Sequence, residues 1–223
     1  MKSIHPLVLM LIALSLARAT NPVPLSVVVF GDSITEGNQL PPSDRPRLWV
    51  NLVQDRSKGA LHLVNEGKGG RPTDSVAEFR QMLARHSPID ILLIALGTND
   101  SRNIRDDSIP AAVKNIRAMI TIAREKCGQR LPILLIAPPN IRMDALGPTK
   151  PIADQRDAKL RELGAAYETL AAELHCEYLS LYGVIPPASL TKDGVHPDAV
   201  GNEPIGTAVL PKLLDMAKSS KAE

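Results

Sequence analysis

The sequence predicts an α/β domain in which a parallel sheet of five strands lies between two layers of helices. Three observations predict it. Short apolar runs alternate with helical patterns along most of the chain. The middle runs are apolar almost without interruption, as strands covered on both faces require. No repeat, low-complexity tract or linker divides the 223 residues, so a single domain is expected over residues 20–223.

Taken in order, residues 25–30 form a Val-rich strand. Residues 45–58 are helix-like, with Pro46 in the first turn and Leu48, Leu52 and Val53 at apolar positions. A second strand follows at 61–65. A helix is expected over 75–85, with Val76, Phe79 and Leu83 on one side. The run 89–96 reads as a buried strand. Ile109, Val113, Ile116, Ile120 and Ala123 recur at helical spacing, with Pro110 suited to a first turn. Residues 131–137 form another buried strand, stopped by Pro138 and Pro139. A long helix is expected over 153–174, a last strand over 177–181 and a final helix over 208–218. In such sheets ligands sit beyond the carboxyl ends of the strands.

The first nineteen residues read as an export signal. Lys2 supplies a positive start, residues 6–16 are apolar, and Ala17-Arg18-Ala19 is a small-x-small cleavage pattern. The apolar run is too short to cross about 30 Å of hydrocarbon, so stable membrane insertion is not expected. The expected location is periplasmic or secreted. Lys2 and Arg18 are two of the 26 basic residues, so the mature chain keeps 24 against 24 acidic ones. That balance gives no electrostatic footprint for nucleic acid. Cys127 and Cys176 each precede a strand, and in an oxidising compartment they are either a disulfide or two buried thiols. Neither has metal or redox C-x-x-C spacing.

Directly after the first strand stands Gly31-Asp32-Ser33-Ile34-Thr35-Glu36-Gly37. A Ser at such a turn is either an exposed nucleophile or part of an ordinary helix cap. Asp32 is expected to bond backbone around the turn. The stretch is not a G-x-S-x-G elbow, because Thr35 stands where the last Gly would be. The second strand ends in the glycine loop Asn65-Glu66-Gly67-Lys68-Gly69-Gly70-Arg71, which is neither a Walker loop nor a dinucleotide fingerprint. Gly97-Thr98-Asn99-Asp100 closes the third strand, and Asn99 can either donate to a developing oxyanion or cap the next turn. Near the C-terminus, Asp193-Gly194-Val195-His196-Pro197 puts a carboxylate and an imidazole three residues apart, so that one orients the other. His62, His86 and His175 are weaker candidates, the last two at helix ends where a positive charge is favourable.

With these four blocks the chain resembles the SGNH or GDSL hydrolase family, named for Ser, Gly, Asn and His, here Ser33, Gly70, Asn99 and His196. The likeness runs from Leu25 into the last helix. Leu96-Gly97-Thr98-Asn99-Asp100-Ser101 and Asp193-Gly194-Val195-His196 are most similar to its arylesterase and acyltransferase branch. The resemblance implies a flavodoxin-like three-layer αβα sandwich and hydrolysis of short-chain esters. Ser33 would be the nucleophile, His196 the base and Asp193 its orienter. The N–H groups of Ser33 and Gly70 and the amide of Asn99 would form the oxyanion hole. No metal or organic cofactor is called for. The expected partner is a small-molecule or glycan ester. Arg71 is a candidate contact for an acidic or hydroxylated substrate, and Trp49 and residues 140–151 are candidates to line the pocket. Two rival readings stand beside this one: a carbohydrate O-acetylesterase on the same scaffold, and a catalytically inactive carbohydrate-binding module.

Overall fold

A computed structural model describes residues 23–221; the expected export signal lies outside the described residues. Five strands, β1 (Leu25–Gly31), β2 (Leu61–Gly67), β3 (Ile91–Ala95), β4 (Ile133–Ala137) and β5 (Glu177–Ser180), form one sheet in the order β2-β1-β3-β4-β5. Every pairing is parallel, with Val28 opposite Val64 and Leu92, and Ile94 opposite Leu135. The chain leaves β1 towards β2 on one side and returns to β3 on the other. That reversal opens a crevice at the carboxyl ends of β1 and β3.

Alternation along the strands sorts the core into two layers. Val28, Phe30, Leu92, Ile94 and Leu135 face α3 (Val76–Arg85), α4 (Ser108–Cys127) and α5 (Ala153–Glu173). Val27, Val29, Ile91, Leu93 and Leu134 face α2 (Trp49–Arg56) and α6 (Ala199–Lys221). The fold is therefore the expected three-layer αβα sandwich. Phe79 of α3 meets Phe30 edge-on, with ring centroids 5.1 Å apart at 82°. Cys127 and Cys176 are free thiols packed against this same layer, and burial raises both above the ordinary thiol value.

Two helix starts differ from the sequence expectation. Residues Pro42–Arg47 form a 3₁₀ turn, and Leu48 is extended at ψ 136°, so α2 begins only at Trp49. The last helix begins at Ala199 instead of residue 208. Asp198 starts it, its carboxylate accepting from Gly201 N at 2.8 Å and its carbonyl from Asn202 N at 3.1 Å. Pro204 falls early in the helix and Pro211 later, and both are accommodated.

Truncating Phe79 to Ala removes a fully buried ring from the sheet face. The Phe79→Ala variant should lose about 3–5 kcal/mol in urea unfolding at neutral pH. A loss well under about 1 kcal/mol would mean that this face repacks freely.

Candidate active site

The β1 strand ends against a single helical turn, α1 (Ser33–Glu36). Asp32 caps it: its Oδ1 accepts from Ile34 N at 2.9 Å, and its carbonyl accepts from Glu36 N at 2.9 Å. Ser33 is the first helical residue, half-buried at the carboxyl edge of the sheet. The turn packs so tightly on the end of β2 that a Cβ at Gly67 would lie 2.2 Å from Glu36 N. Asp32 itself is buried. Desolvation lifts its carboxyl from 3.8 to about 6, against the hydrogen bond from Ile34 N–H, one from Thr98 and the field of His196.

His196 arrives on a loop between β5 and α6. Its Nε2 stands 2.8 Å from Ser33 Oγ, and its Nδ1 stands 2.6 Å from Asp193 Oδ2. A carboxylate on Nδ1 makes that nitrogen the donor and leaves Nε2 to accept the hydroxyl proton. The other oxygen, Asp193 Oδ1, accepts from Val195 N at 2.9 Å, His196 N at 3.0 Å and Thr191 Oγ1 at 2.9 Å. Partial burial raises the Asp193 carboxyl, but the hydrogen bonds from His196, Val195 and Thr191 outweigh it and hold the group well below the usual carboxylate range. Gly194 sits at φ +72°, and a Cβ there would lie 2.5 Å from the carbonyl of Arg142, so no other residue fits. Residues 140–151 support this loop. Arg142 N donates to Gly194 O at 2.7 Å, and its guanidinium reaches the carbonyls of Leu190 and Thr191.

Asn99 follows β3 and does not cap the turn after it; its Nδ2 donates to Arg71 O at 3.2 Å. Asp100 pins the facing loop by accepting from Thr73 N at 3.1 Å and Thr73 Oγ1 at 2.5 Å. Beneath it, Ser101 Oγ donates to Thr98 O at 2.7 Å and receives Arg156 Nε at 3.3 Å. Arg156 is 1% exposed, and its Nη2 has no hydrogen-bond partner among the described residues. Burial, with a smaller push from Arg102, lowers its pKa to about 10. Gly70 stands in the exposed glycine loop at φ +72°.

Two sequence expectations are corrected here. Arg71 does not present its charge to a substrate. It is buried, with its guanidinium bonded to Gly31 O, Glu66 O and Glu78. Trp49 is 2% exposed and belongs to the core layer under α2 and α6. His86 is engaged as well, its ring bonded to the Glu66 carboxylate. Among the described residues no group of three His, Cys, Asp or Glu is placed to hold a metal ion. Sequence reasoning missed Arg156, Thr73, and Asn202. Asn202 Oδ1 accepts from Trp49 N at 3.1 Å and so ties the start of α2 to the stretch just after His196. For Arg156 a signal existed: it stands on the inward stripe of α5 with Leu160, Leu163, Tyr167 and Leu170.

A hydroxyl bonded to an imidazole, and the imidazole to a carboxylate, is the arrangement that activates a serine for acyl transfer. Residues 29–203 match the model of the GDSL-like lipase/acylhydrolase family, a span that includes Ser33, Gly70, Asn99 and His196. The chain belongs to that family. A GDSL lipase of Mycobacterium tuberculosis is 28% identical over 194 residues, covering 84% of this chain and 80% of that protein. A lipoprotein of Bacillus subtilis is 37% identical over 78 residues, covering 34% of this chain and 32% of the relative. The fold is shared with a carbohydrate acetylesterase family member from Sinorhizobium meliloti (TM-score 0.74, 22% identity, 87% of this chain and 99% of that one). It is shared also with an aryl esterase of M. smegmatis (TM-score 0.72, 20% identity, 86% and 99%). As a GDSL-type acylhydrolase the chain is an ester hydrolase. No helix among the described residues is long and apolar enough to cross a membrane.

The raised Asp32 carboxyl carries a stability signature. The folded state holds its proton up to about pH 6, whereas the unfolded chain releases it near 3.8. Asp32 therefore costs the fold about 3 kcal/mol as pH rises through that window, and the cost persists above it. Asp32→Asn should gain about that much relative to the wild type between pH 4 and pH 7.5, measured by urea unfolding at both values. A wild-type-minus-variant difference that does not move with pH would show that Asp32 is already ionised at the lower value.

Proposed function

We propose that this GDSL-type hydrolase is an exported serine esterase that hydrolyses short-chain carboxylic esters, acetyl and aryl esters above all, through an acyl-enzyme on Ser33. The observation that carries the reading is the continuous chain from Asp193 through His196 to Ser33, with contacts of 2.6 and 2.8 Å. His196 Nε2 takes the Ser33 proton as Oγ attacks the ester carbonyl. The tetrahedral oxyanion is held by the N–H groups of Ser33 and Gly70 and by the Asn99 amide. His196 then protonates the leaving alkoxide, and Asp193 stabilises the imidazolium. A water deprotonated by His196 releases the acid. Export is supported by the N-terminal signal pattern and by the likeness to a Bacillus lipoprotein over part of the chain.

Short acyl groups are favoured by the space beside the nucleophile. Ser33 and His196 border a small notch walled by Ile34, Leu40, Leu48 and Pro197, with Gln39 and Asn202 at its margin. A second reading, a carbohydrate O-acetylesterase on the same site, is favoured by the other side. There Asn99 borders a groove of about 390 Å³ lined by Thr73, Asp74, Asn103, Arg105 and Asn115. Amides, hydroxyls and charges of both signs suit a polyol better than an acyl tail. The only Trp is buried, so no indole stacks on a sugar in that groove. An inactive binding module is disfavoured because every member of the hydrogen-bonded chain is present.

Ser33→Ala should abolish turnover of p-nitrophenyl acetate and labelling by a fluorophosphonate; retained turnover would end the mechanism. Asn99→Ala should lower kcat by about 10²–10³ with an unchanged circular dichroism spectrum. Across p-nitrophenyl esters from acetate to palmitate, kcat/KM should fall steeply with chain length. Acetate release from acetylated xylan, set against aryl acetate hydrolysis, separates the two readings of the alcohol side.

A further inference from the structure

The Arg71 guanidinium makes four hydrogen bonds while almost completely buried, at 6% exposure. Nη1 donates to the Gly31 carbonyl at 2.7 Å, two residues before Ser33, and also to the Glu66 carbonyl at the end of β2. Nε and Nη2 reach Glu78 Oε2 on α3 at 3.4 and 3.3 Å. The guanidinium carbon lies 4.0 Å from the centre of the Phe30 ring. The backbone of Arg71 is engaged too. Its N–H donates to Lys68 O at 3.2 Å, closing a turn around Gly69 and Gly70, and its carbonyl receives the Asn99 amide at 3.2 Å.

Every proposed oxyanion donor is thus one short step from this residue. We propose that Arg71 is a positioning residue that fixes the mutual spacing of the Ser33 N–H, the Gly70 N–H and the Asn99 amide. The inference rests on the esterase reading above. A loop with glycines at 67, 69 and 70 has no stiffness of its own. A cation is costly to bury, and this one is compensated by a partly exposed carboxylate, an aromatic face and two carbonyls. Burial pulls its pKa down, and Glu78 pulls it back up. Only a planar fork can face two backbone carbonyls and a carboxylate at once, so a lysine, with one compact ammonium, cannot replace it.

The test compares Arg71→Ala, Arg71→Lys and Glu78→Gln with the wild type on p-nitrophenyl acetate and on phenylboronic acid. The boronic acid forms a tetrahedral adduct with Ser33 and puts an oxygen in the hole. Both Arg71 variants should lose about 10²-fold in kcat, the cost of a misplacement near 1 Å, with KM changed by less than about threefold. Their inhibition constants for the boronic acid should rise in proportion to the loss in kcat. Glu78→Gln leaves both carbonyl bonds in place and should alter kcat by less than about threefold. If Arg71→Ala does not fold, Arg71→Lys carries the test alone, since it keeps a cation facing Glu78. The proposal is overturned if kcat is retained, if boronic acid affinity is unaffected while kcat falls, or if only KM for anionic esters rises. Failure of the wild type to hydrolyse any ester, with no fluorophosphonate label on Ser33, would instead overturn the esterase reading itself.

Discussion

A 2.8 Å contact joins Ser33 to His196 across 163 residues of sequence. One partner stands on a helical turn fused to the end of β1; the other stands on an irregular loop. Their separation therefore depends on how rigidly that loop is fixed. Asp193 does much of this, gathering two backbone N–H groups and the Thr191 hydroxyl besides the imidazole. The antiparallel bridge of Leu190 with Pro197 closes the loop at its base. Arg142 and Asn140 stitch it to the segment after β4. Asn140 accepts from Gly183 N at 3.0 Å and donates to Ile185 O at 2.9 Å. The loops that follow β4 and β5 thus restrain one another, and the imidazole inherits their stiffness.

The same edge concentrates buried charge. Asp32 and Asp193 are chemically identical and stand within one site, yet their carboxyls move in opposite directions. Asp32 has been stripped of solvent with few donors in return, so burial dominates. Asp193 remains partly solvated and collects enough donors to stay ionised. Arg156 is odder still, a guanidinium inside the molecule with no carboxylate paired to it among the described residues. Its bond to Ser101 braces the Thr98 carbonyl, next to Asn99. Groups that cost the fold stability are gathered where the loops need exact placement, the pattern expected of a functional site.

What could be read from the sequence followed the range of each interaction. The strands were legible because burial on both faces leaves an uninterrupted apolar run. Ser33, Asn99 and His196 stood out because each lies in a short local motif at a strand end or a tight turn. The start of α2 was not legible, since its first N–H is satisfied by Asn202, 153 residues away. The start of α6 was obscured by Gly201, Pro204 and Gly206, residues that ordinarily mark loops. Gly201 is required there because a Cβ would lie 2.5 Å from Ser189 O. Arg71 and Trp49 looked available to a substrate, and only tertiary packing shows that both are enclosed. A charged residue in a glycine loop reads as solvated until the strand end that it bridges is in place.

The distribution of apolar surface bears on how the proposed esterase meets its substrate. Enzymes that work on aggregated lipid need a contiguous apolar face around the site. Among the described residues the large exposed apolar side chains are Val23, Ile104, Met143 and Val200, each from a different segment. Leu40 and Leu48 show only their edges to the notch beside the nucleophile, and with Trp49 they are otherwise packed into the core. The groove beside Asn99 mixes polar and charged side chains with Pro72, Ala111 and Ala112. In the proposed arrangement a long acyl tail would outrun the small notch beside Ser33 and forfeit its hydrophobic gain, about 0.8 kcal/mol for each methylene left in water. An acetyl group has no such tail to lose, and a polar alcohol gains partners in the groove. The proposed preference for small acyl groups on water-soluble alcohols rests on where the fold has buried its apolar side chains, independently of the chemistry at Ser33.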